Sequence, residues 1–307
     1  MTKVSILTSS FGTPDAKSLE LCREAGFEVK LNPHGRRLNS LEVVELASNA
    51  NGIISGVEIL NEETLKQLKS LKVISRCGSG VDNIDLKTAS SLGIKVFNTP
   101  EAPVQAVAEL TLGMMLAMLR NISLIDRRLH EGKWERKIGG LLAGKKVGLV
   151  GFGRIGQKVA ELLAPFQAAL AYTDLKPLQH SKIPFMPFKE ILAWGDIISL
   201  HCNAPEGQTA ALIGAKELEL MKSGAFLVNP SRGNLIEERA LYQSLKTGHI
   251  AGAALDVYAQ EPYQGPLKEL DQVILTPHIG SFTRETRVIM EVESVNNLIK
   301  GLKESHG

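Results

Sequence analysis

Lys146 to Ala160 reads KVGLVGFGRIGQKVA. Val147 to Val150 is a short apolar run with β-branched residues, the pattern of a buried strand. The run breaks at Gly151-Phe152-Gly153. It resumes with helical spacing at Ile155, Val159, Leu162 and Leu163. Between strand and helix, Gly151, Gly153 and Gly156 form G-x-G-x-x-G. In that motif the first glycine makes the tight turn, the second lets backbone approach a pyrophosphate, and the third lets helix pack closely on strand. Arg154 and Ile155 open the helix, whose free N–H groups and dipole favour phosphate. A second strand, Ala168 to Thr173, is expected to end at Asp174, twenty-three residues after Gly151. A carboxylate there bonds the ribose hydroxyls of NAD and repels the 2′-phosphate of NADP. Strand, glycines, helix and acid together predict a dinucleotide site.

The chain has 307 residues, enough for two domains, with 44% hydrophobic and 22% charged residues. A net charge of +2 gives no indication of nucleic acid or an anionic membrane as partner. No apolar run approaches the roughly 20 residues of a membrane helix. The N-terminus, MTKVSILTSS, reads as a strand start without a signal-peptide pattern. Cys22, Cys77 and Cys202 are scattered, which predicts no disulfide framework and a reduced, cytoplasmic setting. No His/Asp cluster has metal-ligand spacing, so no metal site is expected.

Outward from the glycine motif, strands and helices alternate in both directions. Before it, strands are expected at Val4–Leu7, Glu28–Leu31, Gly52–Ser55, Val73–Arg76 and Lys95–Phe97, with Asn61 and Asp85 starting helices. The Gly78-Ser79-Gly80 turn after the fourth strand is open to two readings: a backbone N–H cradle for a carboxylate, or a plain strand-to-helix turn. One long helix, about Val104 to Leu129, follows Asn98-Thr99-Pro100. Its Leu and Met residues nearly surround it, which predicts deep burial, in part against another subunit. Beyond Asp174, strands are expected at Asp196–His201, Ala225–Asn229, Ala251–Val257 and Val273–Thr276. An amphipathic helix, Thr286–Lys303, is placed to return to the first domain. The alternation predicts an α/β protein with two doubly wound parallel sheets.

Three polar groups follow strands of the second sheet: Arg232, the Asp256/Glu261 pair, and His278. Ligands of such sheets bind at the carboxyl ends of strands. Arginine grips a carboxylate with a planar fork of donors. Histidine moves a proton near neutrality, and a carboxylate can orient it. Singly, each has a bland alternative: a loop histidine, a surface ion pair, a solvated loop charge. Beside a dinucleotide motif, they form the set that hydride transfer to a carbonyl requires.

With these motifs in order, the chain resembles the D-2-hydroxyacid dehydrogenases, most of all the phosphoglycerate dehydrogenase branch. RCGSGVDNIDL (76–86) is similar to the family's substrate loop. VAELTLGMMLAMLRNI (107–122) is similar to its helix entering the cofactor domain and dimer interface, and VGFGRIG (150–156) to its nucleotide loop. NPSRGNLIEERAL (229–241), AGAALDVYAQEP (251–262) and TPHIGSFT (276–283) resemble the stretches carrying its arginine, its acids and its histidine. The resemblance implies a Rossmann NAD-binding domain, residues 99–283, inserted in a flavodoxin-like substrate domain, residues 1–98 and 284–307, and a homodimer. It implies that Arg232 binds the 2-oxo acid, that His278 moves the proton and that Glu261 holds His278. Asp256 would touch the nicotinamide, His201 would lie on the cofactor side, and backbone at Ser79 and Gly80 would hold the substrate carboxylate. It implies a small 2-hydroxy or 2-oxo acid as substrate. Oxidation of 3-phosphoglycerate, the entry to serine synthesis, comes first, with glyoxylate or hydroxypyruvate reduction as the alternative. An NAD(H)-sensing, co-repressor-like binding protein is the alternative of another class.

Two stretches depart from the family pattern. His201-Cys202-Asn203-Ala204-Pro205 stands where His-x-Pro-Leu is common, and Pro230 precedes Ser231-Arg232. The longer phosphoglycerate dehydrogenases append a serine-sensing domain, which a sequence ending at Gly307 is expected to lack.

Overall fold

The computed structural model describes residues 1–203 and 210–304. The chain divides into two compact units: Met1–Pro103 with Ser281–Gly307, and Val104–Gly280.

The first unit alternates β1 (Thr2–Ile6), α1 (Lys17–Glu24), β2 (Phe27–Leu31), α2 (Ser40–Ala47), β3 (Gly52–Ser55), α3 (Glu62–Gln67), β4 (Val73–Arg76), α4 (Leu86–Ser91) and β5 (Lys95–Asn98). Its helices start where a side chain accepts an otherwise orphaned amide. Asn61 accepts Thr64 N–H and Asp85 accepts Thr88 N–H. Asn39 and Glu42 cap α2 reciprocally, a capping box. The strands pair in parallel in the order β2-β1-β3-β4-β5, a flavodoxin-like winding.

The second unit opens with α5 (Val104–Leu119) and α6 (Ile122–His130). There follow β6 (Lys146–Val150), α7 (Arg154–Leu163), β7 (Ala169–Thr173), α8 (Phe188–Trp194), β8 (Ile197–Leu200), α9 (Ala215–Leu220), β9 (Ala225–Asn229), α10 (Glu238–Lys246), β10 (Ile250–Leu255) and β11 (Val273–Leu275). All pairs are parallel, in the order β11-β10-β9-β8-β6-β7, and a bridge from Tyr172 to Phe185 adds to the β7 edge. Strand order reverses between β6 and β8, so the loops leaving those strands frame a crevice, the usual place for a ligand. The sheet is apolar on both faces: Val147, Leu149, Ile198, Leu227 and Ala253 are buried, as a parallel sheet covered by helices requires.

The last helix, α11 (Arg284–Glu304), belongs to the first unit and packs on α1, β3, β4 and β5. Its Met290, Val295, Leu298 and Leu302 share a core with Val4, Ile6, Ile54 and Val73.

Two expectations need correction. The single helix over Val104–Leu129 is two helices, α5 and α6, bent by 64°. The break is at Asn121, whose φ of +53° lies in the left-handed region that asparagine tolerates better than most residues. The apolar pattern runs through the bend, so periodicity could not reveal it. Burial differs as well: Ala108 and Met115 of α5 are fully buried, whereas α6 has no buried residue. The short helix α9 lies where no helix was expected. Its six residues are too few for a clear period. Among the described residues, no single helix is long and apolar enough to cross a membrane.

Candidate active site

The glycine turn forms as its residue types demand. Gly151 sits at φ +93°, and a Cβ there would lie 2.6 Å from the carbonyl carbon of His201. A Cβ on Gly156 would lie 2.3 Å from the carbonyl oxygen of Gly151, so only glycine lets α7 come this close to the turn. Gly153 is different. It caps α7, and a Cβ on it would meet nothing within 4 Å. That open space lies at the first turn of a ten-residue helix, which Arg154 and Ile155 begin. The Asp174 carboxylate is held at the turn, where Oδ2 accepts Phe152 N–H at 2.7 Å and Oδ1 accepts Leu175 N–H at 2.7 Å. His201 follows β8, with Nε2 2.8 Å from Ser199 Oγ. Burial pushes its pKa down to about 3, so the imidazole is neutral near pH 7. Its buried Nδ1 has no hydrogen-bond partner among the described residues. An open helix N-terminus, a glycine at the approach and a fixed acid fit a dinucleotide. Gly151, Gly153, Arg154, Ile155, Gly156, Asp174 and His201 thus gather at the ends of β6, β7 and β8. The unusual Ala204-Pro205 lies outside the described residues.

A second group gathers at the ends of β9, β10 and β11. Asn229 organises the turn after β9: its Oδ1 accepts Ser231 N–H and Oγ–H, and its Nδ2 donates to Arg232 O at 2.8 Å. The guanidinium of Arg232 donates back to Ser231 O at 2.8 Å. The next residue, Gly233, is buried against the 256–261 loop, where a Cβ would lie 1.8 Å from the Tyr258 carbonyl carbon. This contact locks the arginine turn to the loop that carries Glu261. Glu261 Oε1 accepts Tyr258 N–H at 3.2 Å, and Oε2 lies 3.0 Å from His278 Nδ1. With Nδ1 on the carboxylate, Nε2 of His278 is the nitrogen left to face a reactant.

Asp256 lies just past the end of β10. It has no exposed surface. Oδ1 accepts Thr276 Oγ–H at 2.6 Å and Ile279 N–H at 2.8 Å, while Oδ2 accepts Gly280 N–H at 2.8 Å. Held by three donors, this carboxylate fixes the His278 loop. Burial raises its pKa, against the three donors that lower it.

In the first unit, the turn after β4 is held by the amide of Gly78 and the carbonyls of Gly78 and Ser79. Gly78 N–H donates to Thr99 Oγ1 at 2.7 Å, Thr99 N–H to Gly78 O at 3.0 Å, and Asn98 Nδ2 to Ser79 O at 2.6 Å. The N–H groups of Ser79 and Gly80 find no acceptor among the described residues. Arg76 folds over Gly78 and bonds Cys77 O. Lys133, in the second unit, is paired with Glu131 at 2.8 Å.

Residues 112–280 match the model described as D-isomer specific 2-hydroxyacid dehydrogenase, NAD binding domain. The chain belongs to this family. It is 41% identical to the hydroxypyruvate reductase of Thermotoga maritima over 241 residues, 76% of this chain and 78% of that protein. It is 35% identical to the D-3-phosphoglycerate dehydrogenase of Archaeoglobus fulgidus over 297 residues, 93% of this chain and 56% of that protein. The chain thus spans about half the length of that phosphoglycerate dehydrogenase. A solved structure from Thermus thermophilus is similar with a TM-score of 0.91 at 36% identity, covering 99% of this chain and 97% of that one.

In this member of the family, the matched stretch falls within the second unit, Val104–Gly280, which corresponds to the family's NAD-binding domain. Sequence reasoning missed the groups that hold its polar side chains in place: Asn229, Gly233, Tyr258 and Thr276, and Asn98 and Thr99 in the first unit. Thr99 and Thr276 do carry a signal. Each precedes a proline at a strand exit, and its hydroxyl bonds the turn that leaves the neighbouring strand.

Proposed function

We propose that the protein oxidises and reduces a D-2-hydroxy/2-oxo acid pair with NAD, and that D-3-phosphoglycerate is the leading substrate. The single observation carrying the redox reading is the 3.0 Å bond from His278 Nδ1 to Glu261, beside the Arg232 turn, in an NAD-binding domain. Bound NAD supplies the nicotinamide that takes or gives the hydride. Arg232 binds the acid's carboxylate and carbonyl oxygen by its forked donors and stabilises charge on that oxygen. In reduction, His278 Nε2–H donates its proton to the carbonyl oxygen. In oxidation, Nε2 takes the hydroxyl proton, and Glu261 offsets the resulting imidazolium. The free amides of Ser79 and Gly80 are assigned to the substrate carboxylate. Asp174 selects NAD through the ribose hydroxyls.

The phosphorylated substrate is favoured by the match over 93% of this chain to a phosphoglycerate dehydrogenase and by Arg76 beside the Gly78 turn. Reduction of hydroxypyruvate or glyoxylate is the second reading, favoured by the higher identity to a hydroxypyruvate reductase. We also infer a homodimer. Ile122 and Leu129 of α6 and the following Trp134, Ile138 and Leu141 are 54%, 53%, 82%, 99% and 71% exposed, an apolar stripe that a second copy would cover. Light scattering on the eluting protein tests this, and a monomer mass refutes it. A cytoplasmic setting suits the unpaired Cys22, Cys77 and Cys202.

The test of function follows NADH absorbance with 3-phosphoglycerate and NAD, then with hydroxypyruvate, glyoxylate and pyruvate and NADH, each repeated with the phosphorylated cofactor. Turnover of the phosphorylated acid alone supports the leading substrate. Turnover of small oxo acids alone moves the assignment to a reductase. Tight NADH binding with no turnover across the panel overturns the enzyme reading in favour of a sensor.

A further inference from the structure

His278 has an uncommon backbone conformation. Its φ of +56° lies in the left-handed region, which few non-glycine residues occupy, histidine more readily than most. Pro277 before it has no N–H with which to anchor the turn. The anchors lie on either side. His278 N–H donates to Thr276 O at 3.0 Å. The next two amides, Ile279 and Gly280, donate to different oxygens of Asp256, each at 2.8 Å. A carboxylate gripped at both oxygens by successive amides fixes the path of the backbone just past the histidine.

Asp256 can do this only if it is itself held. It has no contact with water, so its oxygens depend on protein donors. Among the described residues, Thr276 is the side chain that donates to it, at 2.6 Å. Thr276 is in turn fixed to the strand frame, because its N–H donates to Leu255 O at 3.0 Å and so joins the ends of β10 and β11. The carbonyl of the same residue accepts His278 N–H. One threonine therefore touches the loop at two points, through its carbonyl and through its hydroxyl.

We propose that Thr276 is a positioning residue, acting through the buried Asp256 carboxylate to hold His278 in the left-handed turn from which its Nδ1 meets Glu261. This rests on the reading of His278 as the proton carrier. The geometry predicts what loss of one hydroxyl does. Asp256 Oδ1 loses one of two donors, the carboxylate gains freedom to rotate, and the amides of Ile279 and Gly280 follow it. His278 then departs from its alignment with Glu261, while the NAD-binding turn, built on other strands, is untouched.

The experiment compares Thr276→Val, which keeps the shape and removes the hydroxyl, with Thr276→Ser, which keeps the hydroxyl. Steady-state rates are measured with the acid identified by the substrate panel. The imidazole ¹⁵N signals of His278 are recorded in the full-length protein without substrate. In Thr276→Val, kcat is expected to fall about tenfold to a hundredfold, while KM and the dissociation constant for NADH stay within about twofold. The His278 signals are expected to move from one fixed tautomer toward a mixture. Thr276→Ser restores both. Unchanged kcat together with unchanged His278 signals in Thr276→Val overturns the proposal. So does a loss that Thr276→Ser fails to restore, or one shared equally by kcat, NADH binding and melting temperature. The NMR arm needs no turnover. If the wild-type protein neither oxidises nor reduces any acid of the panel, the functional reading falls, and the histidine signals still decide the positioning role.

Discussion

His201, Asp174 and His278 show how far one side chain's surroundings determine what it can do. His201 is neutral because burial holds its pKa near 3, against an ordinary value of 6.5. The unfolded chain binds a proton below pH 6.5 that the folded chain refuses until about pH 3. Acidification through that window therefore destabilises the fold, and stability returns as pH rises. Melting temperatures measured from pH 7 to pH 4 should fall less steeply in His201→Gln than in the wild type. Equal slopes would remove this histidine as the cause. Asp174 is held by two amides at the glycine turn, and in the proposed function its charge repels a 2′-phosphate. Asp174→Ala should lower the ratio of NAD to NADP affinity by about tenfold or more, read by fluorescence titration. An unaltered ratio would show that selection lies elsewhere. His278→Ala should lower turnover by about a hundredfold to ten-thousandfold, the usual range for a general acid–base group, while NADH affinity changes little. Turnover at the wild-type level would assign the proton to another group.

At the scale of the element, the junction of β6 and α7 separates a glycine required by packing from one that keeps an approach open, the two jobs the motif assigns them. Gly156 is required by packing: its Cβ would press on a backbone carbonyl, so Gly156→Ala should lower unfolding free energy by about 1–3 kcal/mol in denaturant melts. Gly153 faces open space at an ordinary φ of −72°. Gly153→Ala should leave the melt nearly unchanged and weaken NADH binding, because the methyl occupies the approach to the helix N-terminus. A large stability loss in Gly153→Ala would contradict that division. The same junction shows what a sequence can reveal. Strand, turn and helix were legible because period and glycine spacing are local properties. The break at Asn121 was not, because a helix can bend without interrupting its apolar stripe. The role of Asp256 was not legible either. A carboxylate just past a strand can face the crevice or turn inward, and only the partners at Thr276, Ile279 and Gly280 show that it turns inward.

Across the whole molecule, the two units have separate cores, and α11 contributes to only one of them. Leu298 is fully buried there, so Leu298→Ala should cost about 2–5 kcal/mol of stability in the first unit. Calorimetry should show that loss in one transition, with NADH binding by the second unit preserved. Equal shifts in both units would mean that they unfold together. The amphipathic pattern of residues 286–303 revealed the helix from sequence. Its destination came from the fact that an apolar stripe needs a partner, and the β3–β4 face supplies one.

The division of the first unit has a further effect, on the order of events at the ribosome. Residues 1–103 emerge first, with Val4, Ile6, Ile54 and Val73 on a sheet face that α11 must cover. The second unit emerges next as one unbroken stretch and can close its core at once. At about 5–20 residues per second, the sheet face waits some 10–40 seconds for the helix that completes it. During that interval its apolar residues lack the helix that covers them, and the stretch made first is the last to complete its core.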